Sequence, residues 1–77
     1  MNLDLTKHAR EQMEDRGITQ AQIEAVLAHP RDSVPGSHPN TIRYIGHIGV
    51  AARQLNVVLP WPGVAIEPYK IVTVYWE

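Results

Sequence analysis

The chain of 77 residues contains no cysteine. No disulfide can staple it and no thiolate can hold a metal, so its stability must come from packing. Phenylalanine is also missing, which leaves two tryptophans and three tyrosines to supply aromatic volume. No apolar run approaches the ~20 residues that cross a bilayer. The opening Met-Asn-Leu-Asp-Leu-Thr has neither a basic region nor an apolar stretch, so no signal peptide is expected. A basic excess is lacking as well. The formal net charge is −1, whereas nucleic-acid binders draw much of their affinity from phosphate neutralisation. Gly-rich phosphate loops, nucleophile elbows and internal repeats do not occur. His8, His29, His38 and His47 show no chelating i,i+4 spacing, so no metal site and no cofactor is expected. These bounds predict a single cytoplasmic domain, 1–77, of a size that buries only about 60% of its unfolded surface.

What is present begins with two helices. Thr6 is a good N-cap, and Lys7 to Arg16 holds no Pro, Gly or β-branched residue to resist helix. Ala9 and Met13 define a narrow core stripe, and Gly17 can turn left-handed to stop the helix. Thr19 with Gln22 fits a capping box. The second helix then runs from Gln20 to about Ala28, with Ile23, Val26 and Leu27 inward, until His29-Pro30 ends it. His8, Gln12 and Arg16 recur every four residues as a ridge beside the core stripe. They are either ordinary boundary residues or one wall of a groove between helix and sheet, with Arg53 or Tyr75 across it.

His8-Ala9, Met13 and Arg16-Gly17-Ile18, completed by Thr73-Val74-Tyr75 near the end, resemble domain-of-unknown-function family 4258. The family's opening is similar to His-Ala-x-x-Arg-Met-x-x-Arg-Gly-Ile, and Gln12 stands where that pattern has its middle Arg. The likeness spans about Thr6 to Trp76 and extends to RelE-like ribonuclease toxins. It implies an α+β fold, two N-terminal helices packed on a three-stranded antiparallel sheet. It also implies an endoribonuclease of a toxin–antitoxin type system, with an antitoxin protein as partner and RNA, free or on the ribosome, as target.

The rest of the chain fits three strands. Pro30 to Asn40 reads as a loop. Strands are expected at Thr41 to about Gly46, about Ala51 to Leu59 and about Lys70 to Trp76, with Gly46-His47-Ile48-Gly49 as a hairpin turn or bulged continuation. Alternation places Ile42, Tyr44, Leu55, Val57, Leu59, Val72, Val74 and Trp76 toward the helices. Arg43, Gln54, Asn56, Thr73 and Tyr75 fall on the other face, and Arg53 at the rim. That other face is either a solvated outer surface, normal for an antiparallel sheet, or an RNA-binding one, where Tyr stacks a base and Arg pairs with phosphate.

RNA cleavage without metal needs a base for the 2′-hydroxyl proton, cations for the phosphate charge and an acid for the leaving oxygen. His8, Arg16 and Tyr75 are the catalytic candidates, and Arg10, Arg43 and Arg53 the RNA contacts. The rival reading is a non-catalytic interaction module for a protein partner or a second copy of the chain. Gln12, the near-neutral charge and Trp61 in the Pro60–Gly63 loop favour it.

Overall fold

Thr6 joins a short strand to the first helix, and the fold is anchored there. Its Oγ1 accepts from Ala9 N–H at 3.1 Å as an N-cap and lies 2.9 Å from the carbonyl of Ile71, near the other end of the chain. In the computed structural model, which describes residues 1–77, the elements follow in this order. β1 (Leu3–Leu5), α1 (Lys7–Arg16) and α2 (Gln20–Ala28) come first. Then come β2 (Asp32–Pro35), β3 (Thr41–Ile48), β4 (Arg53–Pro60), a 3-10 turn (Gly63–Ala65), β5 (Tyr69–Ile71) and β6 (Thr73–Trp76).

The helix signals act as their chemistry requires. Gly17 lies at φ 64°, where the absent Cβ removes the left-handed penalty, and Ile18 N–H donates to Met13 O at 2.9 Å. Thr19 and Gln22 form the reciprocal capping box, each side chain accepting from the other's backbone N–H.

The sheet corrects the expectation. There are six strands in two sheets: four antiparallel strands ordered β2-β3-β4-β6, and a parallel pair of β1 with β5. The three-stranded sheet, and with it the RelE-like architecture, is not what the chain forms. β1 is a three-residue strand without a readable period, and its extended form comes from pairing Leu3 with Tyr69 and Leu5 with Ile71. β2 lies in the segment expected to be a loop. Its proline is tolerated because it sits on an edge strand. Gly36 N–H bonds inward to Thr41 O, so by alternation Ser33 and Pro35 turn their backbone outward. Ser33 N–H donates to Asp32 Oδ1 and Pro35 has no N–H, so this edge offers no free donor to another strand.

The expected last strand is split at Val72, whose N–H donates to Val58 O at 2.8 Å. The break shifts the pleat, so Ile71 rather than Val72 is the fully buried residue there, and Val72 is half-buried. Met13, also expected inside, is half-buried as well. β3 continues past Gly46 without a bulge to Ile48, and the turn falls at Gly49–Ala52. The core joins Ala9, Ile18, Ile23, Val26 and Leu27 of the helical layer to Tyr44, Leu55, Val57, Leu59, Ile71 and Val74. α2 crosses β3 closely at Gly46, where a Cβ would come within 2.8 Å of Val26 Cγ2. α1 packs along β6. The helices therefore cover one face of the four-stranded sheet.

Candidate functional site

The register arranges the outer face of the sheet in rows. Arg43 is opposite Val58, and Val58 opposite Thr73; in the next row Ile45, Asn56 and Tyr75 align. His47 and Gln54 begin a third row, which Glu77 completes by donating its N–H to Gln54 O at 3.0 Å. Each of these side chains alternates with an inward apolar neighbour, which is why they share one surface.

Arg43 Nη1 donates to Tyr75 Oη at 3.2 Å. Arg43 is on β3 and Tyr75 on β6, so this bond spans the intervening β4. The bond raises the Arg43 guanidinium above its ordinary pKa, against the opposing effect of burial, with the Glu77 carboxylate adding in the same direction. The cation is therefore permanent at any physiological pH. Asn56, the cross-strand partner of Tyr75, is 0% exposed although no helix lies over it. Its Oδ1 accepts from Gln54 Nε2 at 3.3 Å, and Gln54 also donates to the Glu77 carboxylate. Two donors in the group have no partner: Arg43 Nε and Asn56 Nδ2, both buried. An unpaired buried donor costs about 1–3 kcal/mol, so two in one cluster call for an explanation.

The remaining sequence candidates lie elsewhere. Trp76 faces the helix side of β6, its Nε1–H donating to Arg16 O at 2.8 Å, and the Arg53 guanidinium stacks 4.4 Å from its ring centroid. Arg16 and Arg53 thus meet at Trp76, Arg16 through its carbonyl and Arg53 through its charge. His8 and Arg10 are exposed on α1. Tyr75 alternates with Val74 and Trp76 and so faces away from α1, toward Arg43. The structure therefore brings Arg43 and Tyr75 together on one face and Arg16 and Arg53 together on the other. It does not join His8 to either pair through a hydrogen bond. His47 and Glu77 are the outer-face residues that the sequence reading did not place there, whereas alternation had already put Asn56 on this face. Continuing the alternation of Thr41–Ile45 two residues further would have placed His47 on the same face as Arg43, two rows along.

The grooves of the molecule lie on either side of Trp61, which is 68% exposed. One, of about 200 Å³, is lined by Leu59, Pro60, Pro62, Gly63, Ile66, Pro68 and Lys70 along with Trp61. The other, of about 280 Å³, lies between Trp61 and the β2–β3 edge at Val34, Pro35 and Ile42. The loop carrying Trp61 is fixed from below, since Val64 N–H donates to the buried Tyr44 Oη at 3.1 Å. No three His, Cys, Asp or Glu side chains gather where they could hold a metal ion, and no helix is long and apolar enough to cross a membrane.

The sequence profile of the family described as Domain of unknown function (DUF4258) matches residues 5–76. The chain belongs to that family. No curated protein and no solved structure is significantly similar to it. The DUF4258 match covers every element that builds the outer face, from β3 to β6.

Proposed function

We propose that this DUF4258 chain acts on RNA, using the outer face of its four-stranded sheet as the binding surface, as the ribonuclease toxin of a toxin–antitoxin pair. The observation that supports this reading is the Arg43–Tyr75 bond next to a buried Asn56, the cross-strand partner of Tyr75, on a sheet face that no helix covers. It combines a fixed cation for phosphate, an aromatic ring for base stacking and amides for base edges, the elements with which β-surfaces take single-stranded RNA. The reaction class is the one that a likeness of this family to RelE-like ribonucleases would imply; the sheet does not share their architecture. A base removes the 2′-hydroxyl proton, O2′ attacks the adjacent phosphorus, and the 5′-oxygen leaves and takes a proton. The products are a 2′,3′-cyclic phosphate and a 5′-hydroxyl. Tyr75 and Arg43 would supply the acid and the charge stabilisation, and His47 on this face the base; His8, on the helix side of the sheet, has no part in it.

The test is RNA binding and RNA integrity with the purified chain, with and without ribosomes. Tyr75→Ala, which removes the stacking ring, and Arg43→Gln should weaken binding, the latter also lowering the salt dependence by about one phosphate contact. Cleavage should be lost in His47→Ala and retained in His8→Ala. RNA left both unbound and intact by the wild-type protein would refute the reading.

A second reading, an interaction module, is favoured by one separate observation: exposed Trp61 between two apolar grooves. It predicts a self-associating chain whose sedimentation shifts to monomer on Trp61→Ser while RNA remains unbound.

A further inference from the structure

Resting on the RNA reading, we infer that Arg43 and Asn56 form a subsite for an oxyanion, the phosphate group of the bound strand. The two unpartnered buried donors of the outer face belong to these two residues, one to each. Both are N–H groups, so what would satisfy them is an acceptor, and two donors suit a group with two acceptor oxygens. Arg43 spends Nη1 on Tyr75. The edge carrying Nε, the one a guanidinium presents to carboxylate or phosphate as a fork, is not used. Asn56 has its amide oxygen fixed by Gln54, which orients the opposite end, Nδ2, as the free donor. The nearby carboxylate, Glu77, is itself engaged by Gln54 and does not hydrogen-bond Arg43.

The Arg43 side chain reaches across β4 to Tyr75, the cross-strand partner of Asn56. It is half-buried, and its guanidinium is tied by the single hydrogen bond to Tyr75. Rotation of Arg43 away from Tyr75 turns Nε outward, so the anion is taken between Nε and Asn56 Nδ2. Tyr75 holds the unrotated form, and its hydroxyl competes with the ligand for the guanidinium. That sets its role apart from those of Arg43 and Asn56, which donate to the anion directly.

The experiment is a titration of the full chain with inorganic phosphate, followed by NMR of the Asn56 side-chain amide and the Arg43 Nε–H, with acetate in a parallel arm. Both resonances should shift together and saturate with phosphate. Asn56→Asp, which keeps the side-chain shape but removes the donor and adds repulsion, should weaken phosphate at least about tenfold, an effect of about 1.4 kcal/mol, with the backbone spectrum preserved. Tyr75→Phe should bind phosphate more tightly than wild type. Saturation by acetate at lower concentration than phosphate would overturn the assignment. So would shifts spread over surface cations without saturation, or unchanged RNA affinity in Asn56→Asp. Phosphate saturation without any RNA binding would leave the subsite standing and remove the RNA reading, so the two can fail separately.

Discussion

Leu55 and Asn56 are neighbours on β4, and both are 0% exposed, yet they are buried by different means. Leu55 points into the layer between sheet and helices, where it meets other apolar side chains and leaves no polar group unpaired. Asn56 points the other way, in a row with Ile45 and Tyr75, where Gln54 donates to its amide oxygen and one donor is left over. Equal burial thus has opposite energetic character on the two faces. The inner face gains transfer free energy with each atom buried. The outer face carries unpaired donors that count against stability, a pattern characteristic of sites arranged for a ligand rather than for the fold.

Substitutions can break or sharpen this contrast. The largest effect is expected on the inner face, where Leu55→Ala removes a fully buried side chain from the core centre and should cost about 3–4 kcal/mol in chemical denaturation. A loss under about 1 kcal/mol would mean that the layer can collapse around the gap.

Next is Gly63→Ala, at the end of the sheet where Tyr44 ties down the Trp61 loop. Gly63 lies at φ 70°, and a Cβ there would meet Tyr44 Oη and come within 2.8 Å of Ile42 Cγ2. We expect about 2–3 kcal/mol of destabilisation by thermal melting, together with increased Trp61 mobility by fluorescence anisotropy.

Thr6→Ala should cost about 1 kcal/mol, because it removes the α1 cap along with the hydroxyl that meets Ile71 O. Hydrogen exchange should show β5 and the start of α1 loosening together.

The smallest effect is expected from Asn56→Ala. It deletes an unpaired donor along with an accepted hydrogen bond, so the two changes offset and the melt should move by less than about 1 kcal/mol. A cost equal to that of Leu55→Ala would erase the distinction between the faces.

Much of the local structure was legible in the chain itself. Thr6, Gly17, Thr19 and Gln22 act through hydrogen bonds and backbone dihedrals within a few residues, and the structure has each in the predicted role. The alternation of Thr41–Ile45 and Gln54–Leu59 separated Leu55, Val57 and Leu59 from Arg43, Gln54 and Asn56, because a strand's two faces are set by its period alone. The family match also was readable, since its opening rests on contiguous residues of α1.

Only the tertiary structure decided the rest, and the reason is range. Leu3–Leu5 becomes a strand because β5, more than 60 residues later, offers it hydrogen bonds. Asp32–Pro35 becomes one because β3 pairs with it in spite of its proline. Val72 lost its expected inward position where the strand breaks to meet Val58. The site follows the same rule. Arg43 and Tyr75 are 32 residues apart, and the sequence could place them on one face. That they bond across β4, beside an Asn56 whose donor is left free, depends on the order of the strands, which the period of each strand does not contain.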